Sequence, residues 1–226
     1  MSNLITDAGL ILILRNFPAN KLDELIPRMV RAGIKAAEVA FNPSLEDTVE
    51  TTCAMIKRII KLSEGKITVG AGTVLRTEWV RAAKDAGCDF IFSPNTDTEI
   101  IKLTRELGMI SIPGAYTPSE VMAAHNAGAD LVKLFPITAN DIGYFKNIRG
   151  PLSHVKFVLT GGVNPDTIVP FLEAGAVGLG TGISILKPEL VASDNFDEIE
   201  RLAKLHVEII DNFKERTNIN EKDRND

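Results

Sequence analysis

The chain has 226 residues, 45% of them hydrophobic and 24% charged, with a formal net charge of −5. That length suits one sizeable core, because α/β barrels commonly run to about 200–250 residues as a single domain. The acidic balance argues against nucleic acid as a partner, and there is neither a membrane-length apolar run nor a secretory signal, so the expected setting is cytoplasmic with no membrane partner.

One motif recurs along the chain. A polar, helix-periodic segment closes on a small residue plus glycine, and a short apolar or β-branched run follows. Ala32-Gly33 precedes Ala36–Ala40, Ala86-Gly87 precedes Phe90–Ser93, and Leu107-Gly108 precedes Met109–Pro113. Ala127-Gly128 precedes Leu131–Phe135, and Ala174-Gly175 precedes Ala176–Gly180. Glycine at such a place ends a helix in the left-handed conformation. With Ile11–Leu14, Ile67–Gly70 and Lys156–Thr160 there are eight candidate strands. Each is followed by a helix-patterned segment at the spacing of parallel strands joined by right-handed crossovers.

The expected fold is therefore α/β, a single-domain (β/α)8 TIM barrel over residues 1–215. A doubly wound sheet is the runner-up, but no G-x-G-x-x-G opens a helix after the first strand. Helix starts are expected at Ser44 before Leu45, at Thr77 before Glu78, and at Thr117-Pro118-Ser119-Glu120. The last strong helix is expected from about Phe196 to Phe213, with residues 216–226 as a polar, disordered tail. Cys53 and Cys88 make no disulfide framework and read as reduced residues.

Barrels of this kind place their chemistry at the carboxyl ends of the strands. In order these ends carry Arg15, Glu38, Gly70-Ala71-Gly72-Thr73, Ser93-Pro94-Asn95, Pro113-Gly114, Lys133 with Phe135-Pro136, Thr160-Gly161-Gly162 and Gly180-Thr181-Gly182. Arg15, Glu38 and Lys133 are nearly the only charges in the strands, and they converge on one mouth. Burial of Lys133 in the run Asp130–Pro136 lowers its pKa and frees a nucleophilic amine. Glu38 among alanines and valine is a carboxylate raised by an apolar wall and lowered by a nearby ammonium. From the residues alone the two fit either a core ion pair or an acid–base couple.

Thr160-Gly161-Gly162-Val163-Asn164-Pro165 and Gly180-Thr181-Gly182 are glycine loops able to close N–H groups on an anion, at the usual phosphate end of such barrels. Arg15 is expected beside them, since strand one closes against strand eight. Tight turns and a surface arginine are the plain structural alternatives. His125, His154 and His206 show no ligand spacing, so no metal site is expected. No G-x-S-x-G elbow is present. Asp89 and Asp130 sit at the far end, as caps or stability residues, and Trp79 reads as helix packing.

Val69-Gly70-Ala71-Gly72-Thr73-Val74, Ser93-Pro94-Asn95, Ile112-Pro113-Gly114, Lys133-Leu134-Phe135-Pro136 and Thr160-Gly161-Gly162-Val163 resemble the class I 2-keto-3-deoxy-6-phosphogluconate (KDPG)/4-hydroxy-2-oxoglutarate (KHG) aldolases, from about Leu10 to Lys187. The resemblance implies a (β/α)8 barrel, a homotrimer, a small-molecule 2-oxo acid substrate, and neither metal nor cofactor. It implies a Schiff-base lysine at Lys133, a proton-shuttling glutamate at Glu38, a carboxylate-binding threonine at Thr73, and anion binding at Arg15, Gly161 and Gly162. Pro94, Phe135, Thr160, Gly180, Gly182 and Ser184 complete the expected substrate-binding set.

Two departures stand out. Phe41-Asn42-Pro43 occupies the place of an arginine that grips the substrate carboxylate in many members, which resembles the 6-phosphogalactonate branch. The serine that caps the phosphate falls at Ile183, with Ser184 one place on. The expected reaction is cleavage of a 2-keto-3-deoxy sugar acid, 6-phosphorylated, to pyruvate and an aldehyde such as glyceraldehyde 3-phosphate. The alternatives are a phosphosugar isomerase or synthase using Lys133 as a general acid, and a non-catalytic binder of anionic sugars.

Overall fold

The computed structural model describes residues 3–222. Nine parallel strands form one sheet: β1 (Leu10–Leu14), β2 (Ala36–Ala40), β3 (Thr68–Gly72), β4 (Phe90–Phe92), β5 (Ile110–Ile112), β6 (Gly114–Ala115), β7 (Val132–Ile137), β8 (Phe157–Gly161) and β9 (Gly178–Thr181). Their order is β5-β4-β3-β2-β1-β9-β8-β7-β6. Of the two outermost, β5 falls within the expected fifth strand Met109–Pro113 and β6 continues it past Pro113, which has no N–H to give the ladder. β5 pairs with β4 and β6 with β7, and Lys133 N donates to Pro113 O at 2.8 Å, so this broken strand closes the barrel. The eight-unit (β/α)8 architecture is as the glycine-punctuated pattern implies.

Side-chain alternation divides the core in two. Odd or even positions facing outward pack under the helices, while Ile11, Ala36, Phe90, Phe92, Ile110, Ile112, Leu131 and Val158 fill the barrel interior. Two residues further along the same inward faces come Ile13, Glu38, Lys133 and Thr160, in register as Ile13↔Glu38 and Glu38↔Gly70. The barrel floor is sealed by α1 (Asn3–Ala8), whose Ile5 is fully buried. Sequence reasoning did not find this helix. Asp89 and Asp130 cap strand starts at that end, accepting from Val69 N (3.0 Å) and Ser111 N (2.9 Å).

The helices α2 (Leu22–Arg31), α3 (Thr48–Ser63), α4 (Thr77–Ala86), α5 (Thr98–Glu106), α6 (Pro118–Asn126), α7 (Ile142–Arg149), α8 (Pro165–Glu173), α9 (Pro188–Ala192) and α10 (Phe196–Lys222) complete the order. The glycines that close the repeated units, Gly33, Gly87, Gly108, Gly128 and Gly175, all have positive φ. The Thr117–Glu120 capping box forms at the start of α6. Three boundaries differ from expectation. α3 starts at Thr48 rather than after Ser44, whose N–H is taken by the Asn42 side chain in a turn. Thr77 is the first helical residue of α4 rather than its cap. α10 continues to Lys222 instead of ending near Phe213, because no glycine or proline stops it. The rest of the expected tail, 223–226, lies outside the described residues. Among the described residues no helix is long and apolar enough to cross a membrane.

Candidate active site

A cavity of about 820 Å³ opens at the carboxyl ends of the strands. Ten of the twelve expected site residues line it: Arg15, Glu38, Thr73, Pro94, Lys133, Phe135, Thr160, Gly161, Gly180 and Gly182. Lys133 is 4% exposed and Glu38 2% exposed, both on inward-facing strand positions. The Lys133 Nζ lies 4.2 Å from the Phe92 ring centroid and 4.6 Å from that of Phe135. A bulge in β7 between Leu134 and Ile137 re-aims Phe135 beside the amine. Ring faces near the nitrogen favour any cation formed there and keep water away from it.

Glu38 has its room because the neighbouring strand β3 ends in glycine at Gly72. A Cβ on Gly72 would stand 1.7 Å from Glu38 Oε2. That oxygen and Thr160 Oγ1 are buried, with no hydrogen-bond partner among the described residues. Unpaired buried polar atoms are costly, and here both line the same cavity, where a substrate can satisfy them. Burial pushes the Glu38 carboxyl up to about 7, against the opposing pull of Lys133 and Arg15. Burial lowers the Lys133 ammonium to about 8, opposed by Glu38 and assisted by Arg15. Each group therefore exchanges its proton near neutral pH.

Thr73 follows β3 with φ of 56°, a left-handed conformation that a β-branched residue adopts only under constraint. Its N–H donates to Phe92 O (3.0 Å), and Ser93 Oγ donates to Val74 O (2.9 Å), which hold the turn. Arg15 departs from expectation. It does not turn to the glycine loops: its Nη2 donates to Thr73 Oγ1 at 3.2 Å. A guanidinium and a hydroxyl thus stand together at the turn after β3, both lining the cavity.

Two expected residues are not brought to the cavity. Gly162 spends its N–H on Ile137 O (2.6 Å), packed against the end of β7. Ser184 faces away, its Oγ 2.8 Å from His206 Nε2, while Ile183 faces the cavity, 70% exposed.

The family model described as KDPG and KHG aldolase matches residues 1–202. The chain belongs to the KDPG and KHG aldolase family. The aldolase is 32% identical to the 2-dehydro-3-deoxy-6-phosphogalactonate aldolase of Escherichia coli (strain K12) over 184 residues, 80% of this chain and 86% of that protein. It is 31% identical to the KHG/KDPG aldolase of the same strain, over 83% of this chain and 87% of that one. A solved native KDPGal structure superposes with a TM-score of 0.80 at 28% identity, covering 91% of this chain and 96% of that chain.

Three features of the aldolase's cavity were missed from sequence. Phe92 forms the second ring beside Lys133. Lys21 lines the mouth, donating to Val191 O and pairing with Asp194, both at 2.6 Å. α9 supplies the far rim through Pro188, Val191 and Ala192. Phe92 reads as an ordinary core strand residue, and Lys21 sits in a 3-10 turn with no motif around it. The only signal for α9 is Pro188 at its first turn.

Proposed function

We propose that this chain is a class I aldolase that cleaves a 2-keto-3-deoxy-6-phospho sugar acid to pyruvate and an aldehyde, through a Schiff base on Lys133. One observation carries the assignment. A buried lysine with a lowered pKa shares a cavity with a buried, unpaired carboxyl, in a family of aldolases.

The Lys133 Nζ lone pair attacks the C2 carbonyl, giving a carbinolamine. Glu38 passes the proton with which the C2 oxygen leaves as water, and the iminium remains. Glu38 then takes the C4 hydroxyl proton. The C3–C4 bond electrons move toward the iminium nitrogen, the aldehyde departs, and an enamine is left. Protonation at C3 and addition of water return pyruvate and the free amine. Thr73 and Arg15 hold the pyruvyl carboxylate, and Pro94, Phe135 and Phe92 keep solvent from the amine. Three of the four charged side chains lining the cavity, Arg15, Lys21 and Lys133, are basic, which suits a substrate with an anion at each end. The distal phosphate is taken by the loops after β8 and β9, where Gly161, Gly180 and Gly182 line the cavity. An isomerase, a synthase or a mere sugar binder is not favoured. The same reading carries a homotrimer acting in the cytoplasm, on the strength of the family resemblance.

A turnover panel tests the substrate. The 6-phosphogalactonate and 6-phosphogluconate 2-keto-3-deoxy acids should each release pyruvate at least tenfold faster, in kcat/KM, than 4-hydroxy-2-oxoglutarate, since one well-made anionic contact is worth about 1.4 kcal/mol or more. Equal rates would remove the phosphate from the assignment.

The pH profile follows from the two shifted groups. Below about 7 the carboxyl and the amine are both protonated, and attack is blocked. Above about 8 both have lost their protons, and no acid remains to expel water. Between these values the pair holds a single proton. A plot of kcat/KM against pH should therefore be a bell peaking between them. A profile flat across this range would contradict the assigned roles.

A further inference from the structure

We propose that His206, which lies outside the cavity on α10, is a positioning residue that fixes through Ser184 the turn receiving the distal anion of the substrate. This inference rests on the aldolase reading.

The turn after β9 is tight. Gly182 O accepts from both Ile185 N (3.0 Å) and Leu186 N (2.7 Å). One side is seated on β1, because a Cβ on Gly182 would stand 2.6 Å from Ile13 O. Gly182 and Ile183 line the cavity, and among the described residues their N–H groups have no acceptor in the chain. Successive free N–H groups at such a turn are donors for an anion. On the other side Ile185 is fully buried, and Ser184 makes the turn's side-chain hydrogen bond to α10, whereas the Ile183 side chain is exposed and anchors nothing.

The polarity of the Ser184 contact is decided by the other ring nitrogen. His206 Nδ1 lies 2.7 Å from Leu202 O, and a carbonyl can only accept, so Nδ1 carries the hydrogen. The imidazole is fully buried, and that burial lowers its pKa and keeps it neutral. Nε2 then has a free lone pair, and the Ser184 hydroxyl donates to it at 2.8 Å. Helix α10 is itself tied to α2 through Arg28–Asp197 (2.5 Å) and Arg31–Glu200 (2.8 Å). The chain of contacts runs from α2 through α10, His206 and Ser184 to the cavity turn. None of it touches Lys133, Glu38 or Thr73.

That separation supplies the test. Exchange of pyruvate C3 hydrogens with deuterium from solvent uses only the amine end of the cavity. Cleavage of the phosphorylated substrate also needs the distal turn. Ser184→Ala should raise KM for the phosphorylated sugar acid about tenfold, the cost of one lost ordering hydrogen bond, and leave pyruvate exchange within about twofold. His206→Leu should do the same. His206→Gln, whose amide can accept from Ser184 and donate to Leu202 O, should recover most of the loss. Should His206→Leu fail to fold, Ser184→Ala decides alone, since it only removes a hydroxyl.

An unchanged KM in Ser184→Ala would overturn the proposal, as would a parallel fall in pyruvate exchange. Absence of exchange in the unsubstituted protein would be a different failure, that of the aldolase reading itself.

Discussion

Lys133→Met is expected to lower turnover by about 10,000-fold or more, the scale of losing a nucleophile that works as part of a unit. The protein should stay folded. Lys133 sits at 4% exposure between two phenyl rings, so methionine of similar length fills the same space without a charge to desolvate. Glu38 loses the ammonium that pulls its pKa down and simply retains its proton. The melting temperature is accordingly expected to hold or rise, as measured by calorimetry beside the activity assay. Lys133→Arg should be equally inactive, because a guanidinium keeps its charge and offers no lone pair. Residual turnover within tenfold of the unsubstituted protein would remove Lys133 as nucleophile.

Glu38→Gln should cut kcat by about 100- to 10,000-fold, the usual contribution of a positioned acid–base group. The amide is isosteric and fits the space above Gly72, but it can neither take nor return a proton. Substrate should still bind, because Thr73 and Arg15 are untouched, so KM changes little while kcat collapses. The alkaline limb of the pH profile should disappear with the carboxyl. Rapid-quench turnover measures the chemical step, and a near-normal rate would take Glu38 out of the mechanism.

The parts legible in the sequence were those where one residue type is required. Helix-ending glycines need positive φ, and five of them marked the units correctly. Lys133 and Glu38 declared themselves because charge inside an apolar strand is expensive and rarely incidental. The inward alternation of a strand then placed them on one face with Thr160 and Ile13, as period two demands. Asp89 and Asp130 were readable as caps or stability residues because each directly precedes a candidate strand at the opposite end.

The parts that were not legible depend on side-chain direction outside regular structure. In a turn, one position decides between the cavity and the helix behind it, so Ser184 goes to His206 and Ile183 to the mouth. Arg15 has a long, free side chain, and its choice of Thr73 over the glycine loops is set by tertiary neighbours. Gly162 looks like an anion loop from its type, but Ile137 O already has its N–H. Pro113 splits the fifth strand in a way that a run of apolar residues conceals. Lys21 and α9 reach the mouth only through the folding of distant segments.

The proposed chemistry requires that the amine of Lys133 forms the covalent link to substrate. Incubation with pyruvate and borohydride, followed by peptide mass mapping, tests it most directly. A single reduced pyruvyl adduct is expected, on the peptide containing Lys133 and absent from Lys133→Met. No adduct, or an adduct on Lys21 at the cavity mouth, would contradict it.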